Sequence, residues 1–221
     1  MPQIFPKAFF FDFDGVICDS EKAHMFATLK VAQSYGISFT EEYSFEMLFG
    51  FDDKGLFRHL FEIHGKQLSA QTLKELIIEK NTEFMDKVES HILFFEGVVD
   101  LISRIHQKNI HMAIVWGALA REVQACLKKG GLESYFEFMV CADHVSTSKP
   151  DPESYETAFI NMMAWENTLD KKDCWVLEDS PSGLSSAVYA GLIVIAITNS
   201  NTRDSLASAS YIVDHYREII L

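Results

Sequence analysis

Five short apolar runs punctuate this 221-residue chain: "AFFF" (8–11), "MAIV" (112–115), "FMVC" (138–141), "WVLE" (175–178) and "IVIAI" (193–197), followed by a weaker "YIV" (211–213). Each is continuous rather than alternating in polarity, the pattern of parallel strands covered on both faces. Helical patterns lie between them. "GVVDLISRIHQ" follows Gly97, and "LAREVQACLKK" ends at Gly130 and Gly131, where a helix C-cap is expected. "DPESYETAFINMM" offers Asp151 as N-cap with Pro152 next, and "SPSGLSSAVYAG" repeats this with Ser180, Pro181 and a stop at Gly191. Strand and helix alternate, so the chain is expected to be α/β, with a doubly wound, Rossmann-like parallel sheet.

One long stretch breaks the alternation. Residues 20–93 contain no strand signal and several helical segments, the clearest starting at Ser69 with Leu73, Leu76, Ile77, Lys80 and Phe84 at near-helical spacing. This block reads as an all-helical cap domain inserted after the first strand, with hinges near 18–21 and 90–97. The α/β core is then 1–19 together with 94–221, and the cap is 20–93.

A formal charge of −13 makes nucleic acid or an anionic membrane surface a poor partner, since both are bound mainly through Lys and Arg. The four cysteines form no C-x-x-C pair and suggest neither a zinc site nor a disulfide framework. The N-terminal stretch lacks the features of a signal peptide, and the longest apolar run, "GLIVIAI", is far too short to span a bilayer. A soluble, cytoplasmic protein, monomer or homodimer, is expected.

Against that background "FFFDFDGVICDS" (9–20) is anomalous. A buried ionised carboxylate costs several kcal/mol unless paired or bound to a metal, yet Asp12 and Asp14 directly follow a core strand. Two residues apart on an extended chain, they point to the same side. In open α/β sheets ligands bind at the carboxyl ends of the strands. Further features fall at other strand ends: Trp116, Gly117 and Ala118 in "IVWGALARE", Lys149 in "SKPDP", and Glu178 and Asp179 in "WVLEDSPSG". The Gly-Ala turn opens a helix, whose N–H groups form a natural anion site. Converging carboxylates call for a hard divalent cation such as Mg2+, and acid, metal and donors together describe phosphoryl transfer. Asp12 suits a nucleophile that carries a phosphoryl group as an acyl phosphate. Asp14 suits the acid that protonates the leaving oxygen and later activates water.

These motifs resemble the haloacid dehalogenase-like superfamily, in the subgroup of phosphoglycolate phosphatases and β-phosphoglucomutases. "DFDGVICDSE" resembles the first motif, "SKPDPESY" the third and "LEDSPSG" the fourth, and the likeness covers nearly the whole chain. It implies a Mg2+-dependent phosphatase acting on a small phosphorylated metabolite, with a mobile cap that closes over substrate. It further implies Asp12 as nucleophile, Asp14 as acid/base with its main-chain carbonyl on the metal, and Asp179 as a metal ligand. Glu178 is then a ligand or stands just behind one, and Lys149 bridges nucleophile and phosphate. Asp14 argues against the dehalogenases and phosphonate hydrolases of the superfamily, which lack that aspartate.

The sequence departs from the family at two places. In the second motif Trp116 stands where Thr or Ser is usual, and indole has one donor and no acceptor. Loss of one charge-assisted hydrogen bond is worth roughly ten- to a hundredfold in rate. The ring is expected either to turn into the core or to wall the substrate pocket. In the cap, "LFGFDDKGLF" carries Asp53 where β-phosphoglucomutases tend to place a phosphate-binding arginine, with Lys54 and Arg58 nearby. His24 falls where many relatives carry a histidine. Lys54 and His24 therefore join Trp116, Gly117 and Ala118 as candidate substrate contacts. A phosphomutase, or a weakly active or non-catalytic binding protein, are the alternative readings.

Overall fold

The computed structural model describes residues 6–37, 53–91, 93–117 and 119–221. In chain order the strands and helices are β1 (Ala8–Phe11), β2 (Cys18–Asp19), α1 (Glu21–Ser34), α2 (Asp53–Ile63), α3 (Ala70–His91), β3 (Leu93–Phe94) and α4 (Val98–Gln107). They continue with β4 (His111–Val115), α5 (Ala120–Gly130), β5 (Phe138–Val140), α6 (Glu153–Met162), β6 (Cys174–Glu178), α7 (Pro181–Tyr189), β7 (Ile193–Ile197) and β8 (Tyr211–Val213). The chain divides into two compact units, 1–19 with 93–221, and 20–92.

The first unit is built on a parallel sheet, six-stranded among the described residues, in the order β5-β4-β1-β6-β7-β8. It is the doubly wound, Rossmann-like architecture expected. All four residues of β1 are fully buried because β1 lies inside the sheet and both faces are covered. Ala8 and Phe10 face α6 and α7 together with Ala113, Val115, Val176 and Val194. Phe9 and Phe11 point the other way, where their rings pack at 4.9 Å. Each buried Phe contributes roughly 1.5–3 kcal/mol relative to an exposed one. The strand register pairs Phe11 with both Ile114 and Leu177. The carboxyl ends of β1, β4 and β6 therefore lie side by side.

The helix signals read from the sequence hold in detail. Ser180 accepts from the Gly183 N–H with Pro181 at the first turn, while Gly131 and Gly191 follow α5 and α7 with φ of 64° and 78°. At α6 the helix starts at Glu153, slightly later than read, while the Asp151 carboxylate still accepts from the Glu153 N–H at 3.0 Å. The antiparallel pair β2–β3 had no sequence signal, since two residues per strand are too few for a periodicity.

The second unit packs α1, α2 and α3 around Met25, Val31, Leu56, Phe57, Leu60, Phe61, Leu73 and Leu76. Helical spacing on α3 places Leu73, Leu76, Lys80 and Phe84 on the buried side, which sequesters a lysine completely. Among the described residues no helix is long and apolar enough to cross a membrane.

Candidate active site

Asp12 is the first residue past β1, and its N–H continues the ladder to the Leu177 carbonyl at 2.9 Å. This backbone bond places its carboxylate at the carboxyl edge of the sheet, where only 7% of the residue remains exposed. Gly15 then turns the chain with φ +76°, and a Cβ there would lie 1.9 Å from Asp179 Oδ2. Only glycine meets both demands, so the loop carrying Asp14 can approach the end of β6. Asn199, past β7, holds that loop by donating to the Gly15 carbonyl at 2.7 Å.

Lys149 is the hub of the cluster. Its ammonium donates to Asp12 Oδ1 at 2.6 Å, to Glu178 Oε1 at 2.7 Å and to the Val115 carbonyl at 3.1 Å. Burial disfavours its charge, but Asp12 and Glu178 outweigh this and raise its pKa. Glu178, the last residue of β6, is fully buried. Its Oε1 also accepts from the Tyr155 hydroxyl at 2.9 Å. Its Oε2 accepts from the main chain of Asp179 and Ser180 and from the Ser180 hydroxyl. Gly183 closes the pocket behind this carboxylate, since a Cβ there would lie 1.7 Å from Oε1.

Three buried carboxylates thus gather around one ammonium's site, and the ammonium pairs with two of them, Asp12 and Glu178. Oxygens of Asp12, Glu178 and Asp179 all lie within 4.8 Å of one another. Burial, then the charge of Glu178, raise the Asp12 pKa to about 7 although Lys149 opposes them. Asp179 is raised well above the usual carboxylate range by burial, Asp12 and Glu178, against a hydrogen bond from Ser200. Asp14, half-buried, adds its charge to both. Excess negative charge of this kind, on all-oxygen donors, fits a hard divalent cation.

A second grouping, Cys141, Asp143 and His144, has a simpler explanation. His144 Nδ1 accepts from the Cys141 N–H at 3.1 Å in a local capping box, which brings the side chains together. Burial, then Asp143, push the Cys141 thiol up to about 12, opposite to a poised thiolate ligand. Among the described residues there is no disulfide, and all four cysteines are buried.

Trp116 follows β4, and its main-chain N–H donates to the Val140 carbonyl at 2.8 Å. The residue is buried, with its ring 5.1 Å from that of Phe13. Gly117 beside it is exposed, and Ala118 lies outside the described residues.

His24 and Lys54 belong to the helical unit. Lys54 is exposed. His24 stacks on Phe84 at 3.9 Å and accepts at Nδ1 from Lys80, 2.7 Å away. An ammonium can only donate, so the ring proton sits on Nε2. Lys80 also pairs with Asp53 at 2.9 Å. Burial, then Lys80, hold the His24 pKa well below 6.5. The unfolded chain therefore takes up a proton that the folded one refuses, so this residue's contribution to stability is lost as pH falls through about 6.5. Melting curves between pH 8 and pH 5.5 are expected to show stability falling with pH, with a shallower slope for His24→Gln; equal slopes would remove His24 as the cause.

Tyr155, Ser180, Ser200 and Asn199 complete the cluster without having been singled out as site residues. Tyr155 lies inside the "SKPDPESY" stretch, but its place on the apolar side of α6 reads as core.

Comparison with known proteins matches residues 9–197 to the family described as haloacid dehalogenase-like hydrolase. A phosphorylated carbohydrates phosphatase of Thermotoga maritima is 30% identical over 84% of this chain and 82% of its own. A fructose-1-phosphate phosphatase of Escherichia coli is 27% identical, covering 85% of this chain and 94% of that protein. The crystal structure of CbbY from Rhodobacter sphaeroides with phosphate shares the fold, with a TM-score of 0.82 at 24% identity over 97% of this chain and 96% of that one. With the matched segment running from β1 through β7, and the acidic cluster spanning its strand ends, the chain belongs to the haloacid dehalogenase-like hydrolases.

Proposed function

We propose that this protein is a Mg2+-dependent phosphatase that hydrolyses a small phosphorylated sugar through an aspartyl-phosphate on Asp12. The observation that carries the reading is Lys149 held between Asp12 and Glu178 beside Asp179, at the carboxyl ends of parallel strands. Family membership and the two named phosphatases support the reaction class, and their names support a phosphorylated carbohydrate as substrate.

In this mechanism the Asp12 carboxylate attacks phosphorus, the P–O bond to the sugar breaks, and Asp14 gives its proton to the departing oxygen. Asp14, now a carboxylate, takes a proton from water as that water attacks phosphorus and releases phosphate from Asp12. Lys149 holds one Asp12 oxygen in place and offsets charge on the transferring group. Asp12, Asp179 and the Asp14 main chain would hold the divalent cation, with Glu178 behind them committed to its donors. When bound, that cation supplies charge neutralisation for the phosphoryl oxygens. The inserted helical segment is proposed to act as the cap over the substrate. The pairing of Asp53 with Lys80 supplies no spare cation at the position where a phosphomutase carries arginine, which favours one phosphate over two.

The test is phosphate release from fructose 1-phosphate, other sugar phosphates and an aryl phosphate, with EDTA or with Mg2+. Release that requires Mg2+, together with a higher melting temperature when Mg2+ is added, is the expected result. Binding without release across the panel would replace the phosphatase reading with that of a binding protein.

A further inference from the structure

The Tyr155 hydroxyl sits where a second donor meets an already committed oxygen. Tyr155 is fully buried on the first turns of α6, six residues after Lys149, and donates to Glu178 Oε1 at 2.9 Å. The same oxygen receives Lys149 at 2.7 Å. Lys149 stands 3.3 Å from the Tyr155 oxygen and 4.8 Å from the centre of its ring. Ammonium, carboxylate and phenol therefore form a closed triangle, and Asp12 Oδ1 accepts from the same ammonium at 2.6 Å.

We propose that Tyr155 is a positioning residue for phosphoryl transfer, which keeps Lys149 available to the transferring group by sharing the charge of Glu178. The inference rests on the phosphatase reading of the site. Before attack, Asp12 and Glu178 compete for the same ammonium, at 2.6 and 2.7 Å. As Asp12 becomes an acyl phosphate it loses its full negative charge, and Glu178 is left as the charged partner of the ammonium. Without the phenol, Oε1 would be left to Lys149 while the other donors stay on Oε2, and it would draw the ammonium toward itself and away from phosphorus. The phenol hydroxyl takes up part of the charge on that Oε1, and the ring adds a cation–π contact on the ammonium's own side. Tyrosine supplies both, whereas phenylalanine keeps the ring and loses only the hydroxyl.

Because this effect grows as the Asp12 charge falls, it acts on the transition state more than on bound substrate. The variant Tyr155→Phe is compared with wild type in Mg2+ by phosphate release and by calorimetric binding of orthovanadate and of inorganic phosphate. Orthovanadate resembles the five-coordinate transition state, and inorganic phosphate the ground state. Expected for Tyr155→Phe are a kcat and an orthovanadate affinity each about tenfold lower, with KM and phosphate affinity changed less than about threefold. The melting temperature is expected to stay within a few degrees of wild type, since the ring and its packing remain.

Orthovanadate affinity unchanged by the substitution would overturn the proposal whatever the turnover. An equal loss of orthovanadate and phosphate affinity, accompanied by a large drop in melting temperature, would also overturn it by making Tyr155 a packing residue only. A wild type that releases no phosphate from any substrate, yet binds orthovanadate more tightly than Tyr155→Phe does, would remove the phosphatase reading and leave the positioning role standing. A wild type that binds no orthovanadate overturns both.

Discussion

Asp12→Asn is expected to fold normally and to release phosphate at least about 10^4-fold more slowly than wild type. The amide is isosteric with the carboxylate and keeps the main-chain bond from residue 12 to the Leu177 carbonyl. The amide Oδ1 can still accept from Lys149, which loses the charge of that partner but retains Glu178 Oε1 at 2.7 Å and the Val115 carbonyl at 3.1 Å, so its charge stays compensated. In the folded protein burial and Glu178 already oppose ionisation of Asp12, so a neutral side chain there does not weaken the fold by removing a favourable charge. What the amide cannot do is form an acyl phosphate. Single-turnover phosphate release alongside a thermal melt checks both halves of the expectation. Turnover at the wild-type rate would take the nucleophile away from Asp12.

Gly183→Ala is expected to destabilise the protein by about 3 kcal/mol and to lower kcat by about a hundredfold or more. On helix propensity alone alanine would stabilise α7 by about 1 kcal/mol, so the expected sign is set entirely by packing. The new methyl would sit 1.7 Å from Glu178 Oε1 and 2.3 Å from Oε2. Glu178 cannot swing aside, because Lys149 and Tyr155 hold one oxygen while Asp179 and Ser180 hold the other. Either the start of α7 shifts or Glu178 moves and takes Lys149 with it, off Asp12. Urea unfolding and kcat measured on the same preparation separate these effects. A variant at least as stable as wild type would show that the space behind Glu178 yields easily.

Much of this site was legible in the sequence because its residues sit at fixed offsets from strands. Asp12 follows an apolar run that can only be a covered strand, and Glu178 closes another. Once strands are parallel, their carboxyl ends share one edge, so residues at those ends meet although Lys149 and Asp12 are 137 residues apart. The same reasoning located Ser180 as a helix cap, since capping depends on neighbours within three residues. Trp116 was less legible: its place at the end of β4 follows from the sequence, but the direction of its ring depends on Phe13, a neighbour from another strand end.

Tyr155 and Lys80 show where local pattern stops. Each occupies the buried side of a helix, where an apolar role is the ordinary reading, yet each places a polar atom against a partner from a distant segment. Tyr155 reaches Glu178 on β6, and Lys80 reaches His24 on α1 and Asp53 on α2. The sequence by itself determined the alternation of strands and helices, the parallel sheet, and the set of acids and lysine delivered to its edge, because periodicity and chain connectivity are local properties. The tertiary structure alone decided which oxygen of Glu178 is shared, how close Gly15 and Gly183 bring their loops, and which buried groups answer one another. Those depend on strand register and helix rotation at the scale of an ångström, and only the packed core sets them.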